Sequence, residues 1–134
     1  MKANKIDINV FIAKYRTEHK TFNPAYSPAL KGKINFNSDG FSHLIFKGGK
    51  KRTGKIVMNR LPLLPLTVPV IKNCPKVLEK RVREEKIKGI EGEVKVTYYS
   101  LEAIVGKSST RVRVVIRKVG TNGNLNFFSI MKFN

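Results

Sequence analysis

A chain of 134 residues, 41% of them apolar, is long enough to bury one core and too short for two. Its 27 Lys and Arg against 9 Asp and Glu leave a formal charge of +18, which points to phosphate polyanions or acidic proteins as partners. The single cysteine, Cys74, excludes an internal disulfide and a cysteine-based zinc site, and two histidines without carboxylate neighbours do not make a metal site.

The start MKANKIDINV has no apolar secretory core. A reducing, cytosolic site of action fits, and the terminal domain of a larger exported protein would lack such a signal too. In residues 6–16, IDINVFIAKYR, the alternation of Ile6, Ile8, Val10 and Ile12 suits a strand. Phe11 with Tyr15, and Asp7 near the start, suit a helix, which is the reading adopted. TFNPAYSPALKGK (21–33) carries Asn-Pro and Ser-Pro pairs and reads as a loop, setting an N-terminal arm (1–40) apart from a core (41–134) within one domain.

KINFNSDGFSHLIFK (33–47) reads as a hairpin turning at Ser38-Asp39-Gly40. Gly48 and Gly49 permit a tight bend, and TGKIVMNRL (53–61) opens a helix capped by Thr53. Pro62, Pro65 and Pro69 break the apolar stretch 61–71, which is also too short to span a membrane. Thr67 is expected to cap a short helix ending near Asn73-Cys74-Pro75. KVLEKRVREEK (76–86) spaces Val77, Lys80, Arg81 and Glu84 as a surface helix would. EVKVTYYSLEAIV (93–105), TRVRVVIRK (110–118) and LNFFSIMKF (125–133) are strand-like and joined by short turns, an antiparallel meander.

The charges are segregated: residues 40–78 and 103–134 contain no Asp or Glu, while Glu79, Glu84, Glu85, Glu91, Glu93 and Glu102 crowd between them. TRVRVVIRK puts Val112, Val114 and Ile116 on one face and Arg111, Arg113 and Arg117 on the other, about 7 Å apart at a two-residue strand repeat. Lysine would serve solubility equally well, so arginine at all three positions favours a grip on an RNA backbone over a solvated face. His43 heads FSHLIFKGGKKRTGK, a run with Lys47, Lys50, Lys51, Arg52 and Lys55 and no acid. RNA cleavage without metal needs a base for the 2′-hydroxyl proton, an acid for the leaving 5′-oxygen and cations for the phosphorane. Histidine supplies proton transfer; lysine and arginine supply the cations. KGGKKRTGK lacks phosphate-loop spacing and reads as a basic loop in which Lys50, Lys51 and Arg52 attract RNA. Of Tyr98-Tyr99 and Phe127-Phe128 one member each points outward, able to stack on a base, with Tyr99 the tyrosine chosen. Ser129 shares a side with Phe127 and Met131 by strand alternation. His19 has no supporting context and receives no role.

The series HLIFK (43–47), NRLPLLPLTVPVIKNCP (59–75), TYYS (97–100), RVRVVIRK (111–118) and FFSIMK (127–132) resembles the Barnase-EndoU-Colicin-RelE superfamily of small ribonuclease toxins, most of all its phage-associated and polymorphic-toxin members, over residues 41–132. The resemblance implies an α+β fold, N-terminal helices packed on a twisted antiparallel sheet of about four strands, with an RNA cleft on the sheet. It implies cleavage of tRNA or other cellular RNA with no metal or cofactor, leaving a 2′,3′-cyclic phosphate, by a monomer that an acidic antitoxin or immunity protein blocks as a heterodimer. Carried over by position, the catalytic set is His43, Lys47, Arg60, Arg113 (or Arg111) and Ser129, the last often threonine in such proteins. Lys50, Lys51, Arg52, Tyr99, Arg111 and Arg117 would bind RNA. A non-catalytic RNA-binding or ribosome-associated protein is the alternative, for which charge and aromatics suffice. A DNA-binding or phage structural module ranks lower, for want of a helix-turn-helix signature.

Overall fold

A computed structural model describes residues 8–22, 24–47, 50–107 and 109–133, with the backbone alone for Ile8, Ser38, Asp39 and Lys47. In chain order the elements are α1 (Ile8–Lys20), β1 (Ala25–Ser27), β2 (Gly32–Asn35), α2 (Ser38–Ile45), β3 (Phe46–Lys47), β4 (Lys50–Lys51), α3 (Gly54–Arg60), a 3-10 helix (Leu61–Leu66), α4 (Thr67–Asn73), β5 (Glu79–Lys86), β6 (Glu93–Val105), β7 (Thr110–Val119) and β8 (Leu125–Lys132). The fold is α+β. Its main sheet has six strands in the order β1-β2-β8-β7-β6-β5, and β3 with β4 makes a separate ribbon.

The meander β6-β7-β8 follows from apolar alternation. The sheet around it is wider than expected and mixed, because β2 runs parallel to β8 through Ile34↔Leu125 and Asn35↔Asn126. The expected loop 21–33 contains β1 and runs into β2, most of which falls in the first expected run of 33–47, and the two strands are an antiparallel pair in register from Ala25↔Ile34 to Ser27↔Gly32. Its prolines fall just outside the strands, Pro24 before β1 and Pro28 after it, where a missing N–H costs no ladder bond. The turn between them is closed by Ser27 Oγ, which accepts the Leu30 N–H at 3.1 Å, and by Lys31 at φ 53°. Residues of the expected N-terminal arm therefore sit in the same sheet as the core.

Two further expectations are corrected. Ser38-Asp39-Gly40 is the first turn of α2 and not a hairpin turn, since the Asn37 side chain caps it by accepting the Gly40 N–H at 3.1 Å. Phe41, Leu44 and Ile45, spaced three and four apart, are then buried on one helical face. Gly40 is required there: a Cβ would run into the Phe127 carbonyl of β8. Residues 79–86 form strand β5 and not a surface helix, paired along their full length with β6. Opposite charges face each other across that pair at Glu84↔Lys95 and Lys86↔Glu93, and this long-range pairing prevails over helical spacing.

The Thr53 hydroxyl caps α3 through the Ile56 N–H at 3.4 Å. The proline-broken segment resolves into the 3-10 helix and α4, with Leu66 at the cap position and Thr67 already helical. Helices α2 and α4 pack on β8 and on β6 and β7, α3 and the 3-10 helix on β8, and α1 on the 3-10 helix. Between them lies a core that includes Leu44, Val57, Leu61, Leu64, Ile71, Leu101, Val114, Ile116, Phe127 and Ile130. No helix of the described residues is long and apolar enough to cross a membrane.

Candidate functional site

Strand alternation sends Val112, Val114 and Ile116 into the core and leaves Arg113, Val115 and Arg117 on the opposite face of β7. The register of β6 sets Tyr98 beside Arg117, Ser100 beside Val115 and Glu102 beside Arg113, and β5 continues the row with Arg81 beside Tyr98. On the other flank β8 brings Ser129 opposite Val115 and Met131 opposite Arg113. Between Val115 and Ile116 the register slips, with Ser129 and Phe127 as successive partners, so Phe128 is an inserted bulge residue. The bulge resets the alternation. Phe127 is buried in the core, whereas Phe128 and Ser129 line the open side together, contrary to the expected pairing of Ser129 with Phe127.

Beyond its short pairing with β2, β8 is covered by α2 and α3, which deliver His43 and Arg60 to a cleft of about 340 Å³, and the link from β4 to α3 adds Arg52. The His43 ring stacks on Phe128, centroids 4.0 Å apart and planes 26° from parallel. The Arg117 guanidinium also lies on Phe128 at 5.0 Å, and Tyr98 meets it edge-on at 5.2 Å. Arg52 holds the histidine twice: Nε donates to the His43 carbonyl at 3.0 Å and Nη2 lies 3.4 Å from the ring Nε2. Guanidinium has only donors, so this geometry suits Nε2 as an acceptor and places the proton of a neutral ring on Nδ1. The Arg52 backbone is fixed as well, its N–H donating to the Ile45 carbonyl at 2.6 Å.

Arg60 Nη1 donates to Ser129 Oγ at 3.4 Å. Burial, and then the charge of Arg52, hold its pKa below the usual guanidinium range, the signature of a cation that an anion would relieve. The Tyr98 hydroxyl donates to Glu85 Oε2 at 2.7 Å, and burial followed by that carboxylate pushes the phenol up, so it stays protonated at neutral pH. Arg81 and Arg83 complete the lining, leaving Glu85 the acid among four arginines. Neither Arg52 nor Arg60 takes part in an ion pair among the described residues.

Of the residues singled out from the sequence, the cleft unites His43, Arg52, Arg60 and Ser129, and Arg117 reaches it through its contact with the Phe128 ring. Arg113 lies elsewhere: Nε and Nη2 donate to Glu102 Oε2 at 2.9 and 2.6 Å, and the Phe133 ring lies 4.1 Å away. Its charge is thus compensated within the sheet. We expect Arg113→Ala to lower the unfolding free energy by about 1–3 kcal/mol, because Glu102 would be left half-buried without its partner. A urea midpoint equal to that of the parent chain would refute this structural role. Tyr99 has core parity, faces Ile116 in the register and packs against the core. Arg111, Lys50 and Lys51 are exposed, and Lys51 borders a different hollow with Ile12 and Arg16. The Lys47 side chain lies outside those described.

Tyr98, Phe128, Glu85, Arg81 and Arg83 are cleft residues that received no site role from the sequence, beyond one outward ring each from Tyr98-Tyr99 and Phe127-Phe128. The signal for Tyr98 was present, since Tyr99 shares parity with Leu101, Ala103 and Val105. Arg81 and Arg83 diverge on a helix but share one face of a strand, so they became neighbours only once β5 was paired. Among the described residues no group of three or more His, Cys, Asp and Glu side chains is placed to hold a metal ion. Compared with known proteins, the chain matches no family model, no curated protein and no solved structure.

Proposed function

We propose that the cleft binds RNA and cleaves it without metal, by attack of a ribose 2′-hydroxyl on the adjoining phosphate, giving a 2′,3′-cyclic phosphate and a free 5′-hydroxyl. The observation that carries this reading is the His43 imidazole fixed by Arg52 beside an arginine, Arg60, that has no carboxylate partner among the described residues. His43 Nε2 accepts the 2′-hydroxyl proton once the Arg52 Nη2 contact that occupies its lone pair passes to a phosphate oxygen of the substrate. Arg60 and Arg52 hold the equatorial oxygens as negative charge develops, in a partly buried site where such contacts are strengthened. Ser129 orients Arg60, and the Tyr98 phenol, kept protonated beside Glu85, is the donor for the leaving 5′-oxygen when its O–H turns from Glu85 to the substrate. Arg81 and Arg83 grip phosphates further along the strand.

A toxin whose action is cytoplasmic, whose favoured RNA is tRNA, and which is silenced by an acidic antitoxin or immunity protein filling the cationic cleft belongs to the same reading. The test is to incubate purified protein with RNA and a chelator and map the ends. Cyclic phosphates are expected, with no cut where the 2′-hydroxyl is replaced by hydrogen. Tight binding without any cut would instead identify a non-catalytic RNA-binding protein.

A further inference from the structure

Beside the cleft opens a second cavity, of about 360 Å³, lined by Asn59, Arg60, Leu63, Met131 and Lys132. Arg60 and Met131 line both cavities, so the two are compartments of one groove following β8, and these side chains are the partition. Each compartment is at the small end of ligand pockets, about 300 Å³.

The chemistry changes across the partition. On the cleft side are guanidiniums and an imidazole, which suit a phosphate. On the far side Leu63 and the Met131 thioether offer apolar surface, and Asn59, exposed on the last turn of α3, offers an amide NH2 as donor and its carbonyl as acceptor. Lys132 stands at the rim, exposed. A flat heterocycle with apolar faces and a polar edge fits that set, and Arg60 lies where the phosphate next to it would be.

We propose that the Asn59 cavity is a nucleobase subsite for single-stranded RNA, reading the edge of the base adjacent to the phosphate held by Arg60. The inference rests on the cleft taking RNA, and it adds the strand state of the substrate and a residue that sets sequence preference. A base in a duplex has its Watson–Crick edge occupied, whereas an unpaired base can be splayed into a pocket and read there.

The test uses fluorescein-labelled homopolymeric 2′-deoxy hexanucleotides, which bind but cannot be cut by 2′-hydroxyl attack, followed by anisotropy near physiological salt. Affinities for the best and worst base should differ by about fivefold or more, the lower end of what one paired amide contact discriminates. Asn59→Ala should bring that ratio below about twofold, since the amide that discriminates is gone. Arg60→Ala should weaken every oligonucleotide alike, as loss of a phosphate contact does. Equal affinities in the parent chain, or a preference that persists in Asn59→Ala, would overturn the subsite. Because the probes are not substrates, the two readings fail separately: Asn59-dependent preference without RNA cleavage sinks the nuclease alone, and cleavage without preference sinks the subsite alone.

Discussion

His43→Ala is expected to lower the rate of RNA cleavage by about 10²–10⁴ while leaving the fold intact, the range for removing a positioned proton-transfer group. The ring lies on the cleft side of α2, stacked on Phe128, and the buried face of that helix is carried by Phe41, Leu44 and Ile45. Truncation therefore removes a stacking contact worth about 1 kcal/mol and leaves the core untouched. Arg52→Ala should act through the same atom, by releasing the carbonyl and ring contacts that orient the imidazole. Single-turnover cleavage of labelled RNA, with thermal melting of each variant alongside, measures both. Parent-like cleavage by His43→Ala would remove histidine from the chemistry and leave the cationic cleft as a binding surface.

Acidification should destabilise the protein through the other histidine. His19 is buried among Phe36 and Phe41, each 5.4 Å away between centroids, and Phe127 at 5.6 Å, and its Nε2 has no hydrogen-bond partner among the described residues. Burial pushes its pKa from 6.5 down to about 4. The folded state thus binds the proton less readily than the unfolded chain, so the stabilisation from a neutral ring is complete above 6.5 and lost as pH falls towards 4. The loss is roughly 3 kcal/mol, at about 1.4 kcal/mol per pKa unit. His19→Phe, which keeps the aromatic packing and cannot charge, should flatten the urea midpoint across that window. A midpoint that falls as steeply in the variant as in the parent would assign the acid sensitivity to other groups.

What could be read from the sequence follows the range of the forces involved. Strands β6, β7 and β8 were legible because their apolar alternation and turn glycines, such as Gly120 at φ 77°, are local signals. Strand β5 was not, since its side chains are nearly all exposed and its state is imposed by the β6 backbone. The parallel contact of β2 with β8 joins Ile34 to Leu125, a choice that no window of sequence contains. The candidate site divides along the same line. His43 could be named as a residue type suited to phosphate chemistry among clustered cations, whereas Arg60 and Ser129 were selected by the family resemblance alone. Which arginines remain uncompensated depends on register: the β6-β7 pairing gives Arg113 to Glu102 and leaves Arg60 to the cleft. The bulge at Phe128 decides the rest, because a single inserted residue swaps the side on which Ser129 emerges.

Strand β8 is the last strand to be synthesised among the described residues, yet it lies between β2 and β7. A nascent chain that has emerged as far as Asn124 has β1, β2 and the β5-β6-β7 portion with no strand between them, and α4 touches both sides. That chain also lacks Phe128, Ser129 and Met131, so neither compartment of the groove exists. Ordering of the site must therefore follow synthesis of β8, and folding on the ribosome can accumulate helices and a partial sheet before the cleft takes shape.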